Sequence, residues 1–531
     1  MYRKTFIIIA SLITPSIFAF ALFRHAPNPS QTAGPSPQQQ LVSLIAHLRT
    51  QGYPTAADEI DAWLPPAPSP NNAQAYNNIF AQLIPYDEQT HGYPNCKSYD
   101  LWCEHIEDIT SPIPDDHLAN IQHYLNDNAP ALTALRKLDP STPSRWFQNY
   151  QNDHLSIAKV YVYHRKLAHL LQTDTLLANH QKQHNRAYDN ITRTIHIANA
   201  LQNEPILIAP LVRESLYALA QYMIKEQLHS SPPDKQTSRN LLAHLSTINL
   251  HKQFITSLII ERADMLSNLD TNKAIELLTQ KAQVYTMFIG DDQDPTEEAN
   301  SSATADYKSP ELFDDTFDQM KVDLANTRRQ ITRFTNDPTL PEQNKIAFAT
   351  MITEFIQSQI NQPYLDDLPQ EKINQLASDE SAVAHYLLDA YRSSYDSLKL
   401  SQARLDLTRT ALTCHLYKLD HGSYPSKLTD LVPSYLPAIP TDLYTSKPIL
   451  YKHDPSTGSI VVYSTGPDLQ DDHGRRFASR QYESFGRKPD EGDTKHIYTD
   501  ITFSLGPYQR THFPKSFKKF ECNGACDVHN P

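Results

Sequence analysis

The stretch His415–Ser426, HLYKLDHGSYPS, decides how this chain divides. Just upstream, Leu405, Leu412, Leu416 and Leu419 recur at helical spacing and fall within about 60° of one another on a helical wheel. That spacing predicts one long amphipathic helix with an apolar seam. Gly422 supplies the left-handed residue that ends such a helix, and Pro425 prevents it from resuming. Leu428, Leu431 and Val432 then suggest a short helical turn. Beyond them the apolar period changes to two. Ile449-Leu-Tyr451 and Ile460-Val-Val-Tyr463 read as strands, joined by the turn residues Asp454-Pro-Ser-Thr-Gly458.

Glycine usage carries the same division through the whole chain. Of 12 glycines in 531 residues, only Gly34, Gly52, Gly92 and Gly290 precede residue 400, where an average share would give about 28. Helices disfavour glycine and turns require it. The expected fold is therefore mainly α: an irregular helical bundle or array over 41–397, then a small α+β domain over 398–507, a long helix on a short antiparallel sheet. Val212, Leu216, Leu219 and Met223 form one helical stripe of the body, and Ile191, Ile195 and Ala198 form another. The prolines of 63–72 predict an extended segment. Residues 290–315 are acidic and read as a surface loop. A net charge of −13 argues against a nucleic-acid partner.

Arg3 and Lys4 precede a charge-free apolar stretch over 5–23. Both a retained membrane anchor and a cleaved signal peptide fit it, the latter through Ala19-Phe20-Ala21, and the anchor is the expectation adopted. Residues 24–40 are rich in Pro, Gln and Ser and read as a flexible spacer. The expected location is a bacterial inner membrane with the bulk in the periplasm, or secretion if the segment is cleaved. Cysteine usage agrees. Cys96 with Cys103, and Cys522 with Cys526, form two closely spaced pairs that an oxidising compartment would close into small rings. A zinc site of the same four cysteines fits the spacings poorly. Cys414 is left over on the helix as a small apolar residue.

Sequence patterns for catalysis are scarce, with no zinc-protease, nucleophile-elbow or phosphate-loop motif. His180 and His184 stand four apart on an expected helix, in polar surroundings that suggest a solvated face. Tyr161, Tyr163, His164 and His169 read as interior or groove lining.

The run from Ala411 to Gly474 resembles the C-terminal part of the major pseudopilin of type II secretion systems. Tyr417, Asp420, Gly422, Tyr424 and Pro425 match that family's helix-ending pattern. Leu436, Pro437, Pro440 and Asp442 match its next segment; Tyr463, Ser464, Gly466 and Asp468 match its last hairpin, and Asp500-Ile501 echo its final pair. The resemblance implies a structural Ca²⁺ in the loop after the hairpin, where Asp468, Asp471 and Asp472 stand. That loop departs from the family pattern through His473, Arg475 and Arg476. The family's processing motif is missing, so packing into a fibre does not follow. The whole layout also resembles large envelope proteins of planctomycete and verrucomicrobial type. Asp61-Ala-Trp-Leu-Pro-Pro and Glu204-Pro-Ile-Leu-Ile208 are similar to that group's recurring segments.

The resulting expectation is a non-catalytic, envelope-anchored structural or interaction protein with protein partners, associated with a secretion or surface assembly. The basic and aromatic tail, 508–531, is expected to pack on the protein's own acidic surface. Two other readings remain: a periplasmic hydrolase, with Glu214 beside a histidine as one candidate pair, and a small-ligand or glycan binder using the tyrosine-rich body.

Overall fold

Ser36 starts the first helix. Its hydroxyl accepts from the Gln39 backbone N–H at 3.3 Å, and Gln39 Oε1 accepts from the Ser36 N–H at 2.9 Å, a reciprocal cap with Pro37 in the first turn. The expected spacer therefore ends before residue 36, because the Ser-Pro-Gln-Gln sequence is a helix start. The structure, a computed structural model, describes residues 36–84, 113, 115–147, 149–150, 157–289, 314–361, 363–364, 373, 381–474 and 500–506.

The helices are α1 (Pro37–Thr50), α2 (Ala57–Trp63), α3 (Ala73–Phe80), α4 (Asp115–Asp127), α5 (Ala129–Lys137), α6 (Ala158–His180), α7 (His184–Ala200), α8 (Ile208–Ser230), α9 (Lys235–Ser246), α10 (Leu250–Asn268), α11 (Thr271–Ile289), α12 (Asp314–Asn336), α13 (Leu340–Asn361) and α14 (Ala382–His421). The strands are β1 (Leu450–Asp454), β2 (Ser459–Ser464) and β3 (Ile501–Leu505). The chain is thus mainly helical with a small three-stranded antiparallel sheet.

It forms two compact units. Among the described residues the first holds those up to 220 together with 248–401, and the second holds 221–247 and those from 402 onward. In the first unit α6 packs on α7, α11 on α12, α10 on α13 and α2, and α13 on α1. Ile191, Ile195 and Ala198 are fully buried, as their spacing predicts. One buried ion cluster ties α5, α6 and α7. Asp174 is fully buried. Its Oδ2 accepts from Arg136 Nη2 at 2.8 Å, Arg186 Nε at 3.1 Å and Asn190 Nδ2 at 2.7 Å, while Arg186 Nη2 reaches Oδ1. Two cations and an amide compensate one dry carboxylate, the condition under which such a group is tolerated.

The second unit follows from the helix stop. Gly422 adopts φ +83° and donates its N–H to Lys418 O at 2.8 Å. The hairpin turn is built as expected, with Asp454 Oδ1 accepting from Ser456 N–H at 2.9 Å and Gly458 at φ +67°. Register pairs Tyr451 with Val462 and Val462 with Phe503. Ile460, Val462, Phe503 and Leu505 are buried, so alternate residues of β2 and β3 supply the apolar face. Asp442 anchors the approach to β1. Its backbone carbonyl accepts from Ser446 N–H at 2.9 Å, and its buried carboxylate accepts from Ser464 Oγ at 2.9 Å and Thr465 N–H at 3.2 Å. Residues 221–247 join this unit: Arg409 Nε donates to Leu245 O at 3.2 Å, and His415 Nε2 lies 2.8 Å from Pro233 O.

Some expectations need correcting. Leu405, Leu412 and Leu416 are buried, but Leu419 is 45% exposed, because Lys235 pairs with Asp420 at that end of the helix and the seam stops a turn early. The transmembrane anchor is withdrawn: among the described residues no helix is long and apolar enough to cross a membrane. The stretch 5–23 that suggested it lies outside the described residues, as do all but the last two residues of 290–315, the whole tail 508–531, and Cys96, Cys103, Cys522 and Cys526.

Replacing Asp174 with Ala leaves Arg136 and Arg186 facing each other without their acid. The expected cost is about 3 kcal/mol, read as a lower urea midpoint by far-ultraviolet circular dichroism. Gly506 sits at φ +114°, and a Cβ there would lie 2.6 Å from Ser459 Cα. G506A is expected to lower stability by about 3 kcal/mol, with loss of amide-exchange protection across β2 and β3.

Candidate functional site

Three places collect the residues that chemistry would use. The first is the loop after β2, in the second unit. Asp468 Oδ1 accepts from Gln470 N–H at 3.1 Å, and Asp471 Oδ1 accepts from His473 N–H at 2.8 Å. Both aspartates therefore cap their own turns. The loop closes on Asp500, which is 3% exposed. Asp500 Oδ2 accepts from Gly474 N–H at 2.7 Å, and Oδ1 from Asp472 N–H at 3.4 Å. Burial pushes Asp500 up to about 6; those two N–H groups pull it down, and the Asp472 and Asp471 carboxylates push it up. Asp468 and Asp471 each commit one carboxylate oxygen to a backbone N–H of their own loop. Among the described residues no three His, Cys, Asp or Glu side chains converge on one point.

The second place lies on α10, in the first unit. Glu261 is half-buried, and Asp264 stands one turn further along. Tyr391 OH donates to Glu261 Oε2 at 3.1 Å. Burial first, then the Asp264 carboxylate, push Glu261 up to about 7, against the Tyr391 hydroxyl, the Leu207 backbone N–H and Lys273. The result is a carboxyl group that holds its proton close to neutrality. Sequence reading missed it, although Glu261-Arg262-Ala-Asp264 interrupts a mostly apolar run from Phe254 to Leu266.

The third place is a depression between α3 and α6, also in the first unit. It has a volume of about 280 Å³, opens to solvent, and is lined by Asn77, Phe80, Ala81, Lys159, Val160 and Tyr163. Phe80 stacks on Tyr163 with centroids 5.4 Å apart, and Lys166 Nζ lies 5.4 Å from the Tyr163 centroid. Behind the wall stands His164, fully buried, with Trp146 edge-on at 4.9 Å and Tyr76 stacked at 5.5 Å. His164 Nδ1 lies 2.8 Å from Val160 O, and burial lowers the ring to about 4, so it is a neutral core residue. Trp146 Nε1 donates to Asn77 Oδ1 at 2.8 Å and fixes the rim. Of the four residues singled out here, Tyr161 and His164 are core, His169 is half-buried, and Tyr163 alone reaches the depression's surface.

The other candidates separate. His180 and His184 are both exposed and belong to different helices, because Lys182 at φ 58° turns the chain between α6 and α7. Glu214 Oε2 accepts from Ser397 Oγ at 2.8 Å. Cys414 is fully buried, and burial raises its thiol well above the ordinary range, so it carries no thiolate. No protein-family model, curated protein or solved structure matches the chain.

Glu261 yields a pH prediction. Its folded pKa lies above its unfolded one, so between about 4.5 and 7 the folded state binds more protons, and stability falls as pH rises through that window. Above it the loss is complete. E261Q mimics the protonated form. It should raise stability at pH 8 by about 2 kcal/mol and change little at pH 5, measured by urea unfolding at both pH values.

Proposed function

We propose that the protein is a non-catalytic interaction protein, with a helical body and a pseudopilin-like C-terminal unit that each dock a protein partner in a secretion or surface assembly. The observation that carries this reading is the open depression lined by Phe80, Ala81, Val160 and Tyr163. Its wall is held rigid by ring packing, so little side-chain freedom is lost when a partner seats there. A bulky apolar side chain anchoring in such a recess is the usual energetic centre of a protein interface. Exposed Lys159 at the rim adds a position for a neighbouring carboxylate.

The residues matched to the pseudopilin pattern support the same reading. Asp442 and Asp500 fix backbone, Gly422 ends the helix, and Tyr435 OH donates to Asp420 Oδ2 at 2.7 Å. They act by holding a small tip in one shape, which suits a docking module.

A photoreactive p-benzoylphenylalanine placed at Tyr163, and in a second variant at Leu469, tests the proposal in native cells. Leu469 is 58% exposed and lies in the second unit. Each position is expected to give a few discrete protein adducts on irradiation. The control is Val322, 52% exposed on α12. Labelling at Tyr163 no stronger or more selective than at Val322 would sink the body's role, and the same result at Leu469 would sink the tip's.

A further inference from the structure

Arg262 of α10 is fully buried, and among the described residues no acid pairs with it. Its Nη1 donates to Thr353 Oγ1 at 2.9 Å, and its guanidinium carbon lies 5.1 Å from the ring centroid of Tyr53. Nε and Nη2 donate to no acceptor among the described residues. Burial pulls the group down to about 10, and Tyr53 acts weakly in the other direction. Another buried guanidinium is treated differently. Arg213, 2% exposed, donates from Nη1 to Gln253 Oε1 at 2.6 Å, from Nη2 to Tyr217 OH at 2.9 Å and from Nε to Ala198 O at 3.1 Å. Arg213 is satisfied on every edge; Arg262 is satisfied on one.

The two unsatisfied donors have a defined geometry. Nε–H and one N–H of Nη2 lie on the same edge of the planar guanidinium and point in parallel, the fork that matches the two oxygens of a carboxylate. The surroundings decide the charge of the partner. Leu266 is one turn along α10 from Arg262, and Ala349 is one turn along α13 from Thr353. With Leu48 they form a buried apolar cluster, against which Leu41, Leu44 and Tyr53 pack. One cation in an apolar setting matches one negative charge. A phosphate dianion would bring a second, uncompensated charge and further dry oxygens, which such a place disfavours.

We propose that Arg262 is an internal anion site that holds one small monocarboxylate, of formate or acetate size, side-on through Nε and Nη2. The Tyr53 ring covers one face of the guanidinium, and the Thr353 hydroxyl accepts from its remaining edge. The bound acid neutralises a charge that would otherwise oppose the packing of α10 on α13. Because Arg262 is closed off from solvent, the ligand enters when the first unit folds or opens, and it exchanges slowly. This assignment is independent of the docking role proposed above.

The test uses the full chain, unfolded and refolded in carboxylate-free buffer. Thermal unfolding is then followed at pH 7 in sodium formate and in sodium chloride of equal ionic strength. Formate is expected to raise the midpoint by about 3 °C or more over chloride. R262M, which keeps the stem and removes the charge, should abolish that difference, and R262K, which keeps the charge without the fork, should reduce it. Should R262M fail to fold, the wild-type chain refolded in ¹³C-formate gives the second readout, a protein-bound ¹³C resonance at one equivalent in slow exchange with free formate. A midpoint that follows ionic strength whatever the anion, no bound ¹³C resonance, or an R262M protein more stable than the wild type in both salts would each overturn the assignment.

Discussion

The stop of α14 at Gly422 is the constraint on which the rest of the second unit depends. A helix of 40 residues has no internal reason to end where it does. A residue free to take φ +83°, followed by Tyr424-Pro425, supplies that reason. Everything after it is set by the direction in which the chain leaves. Tyr424 turns inward and is buried, and Tyr451 OH donates to Pro425 O at 2.6 Å, fastening β1 to the helix exit. Asp442 then fixes the approach to the hairpin and Asp500 its far loop. A side chain with a Cβ at position 422 would meet backbone strain at the one point where the direction is chosen.

Much of this was legible in the sequence, for a physical reason. Helix stops, turns and strand alternation are local: Gly422, Pro425 and the Asp454–Gly458 turn act within a few residues, and their signals survive without knowledge of the fold. The β1–β2 hairpin follows from them. Strand β3 was not legible, because Ile-Thr-Phe-Ser-Leu is too short to announce itself and pairs with β2 across a long sequence separation. Residues 221–247 were not legible as part of the second unit either. Their assignment rests on Arg409 meeting Leu245 O and His415 meeting Pro233 O, contacts made by chain segments far apart in sequence.

The candidate sites divide along the same line. Asp468, Asp471 and Asp472 lie in one loop, as the sequence implies, and backbone N–H groups of that loop take up one oxygen each of Asp468 and Asp471. Glu261, Arg262 and Asp174 gain their character from burial, which only tertiary packing confers. Asp174 shows how the fold satisfies a dry charge from three neighbouring side chains, and Arg213 shows the same with neutral acceptors. Against those two, Arg262 stands out for its chemistry and not for its sequence position. The depression beside Tyr163 belongs to the same class: Phe80 and Tyr163 are distant in sequence, and only the pairing of α3 with α6 brings their rings together.

Cys414 carries a consequence for how the molecule can be watched in solution. Its thiol is sealed inside α14 and protonated, so a thiol reagent reaches it only when that part of the helix lifts from its neighbours. Its modification rate is then a clock for transient opening of the second unit under native conditions. That clock runs without any engineered probe, in the last two turns of the helix on which the unit is built.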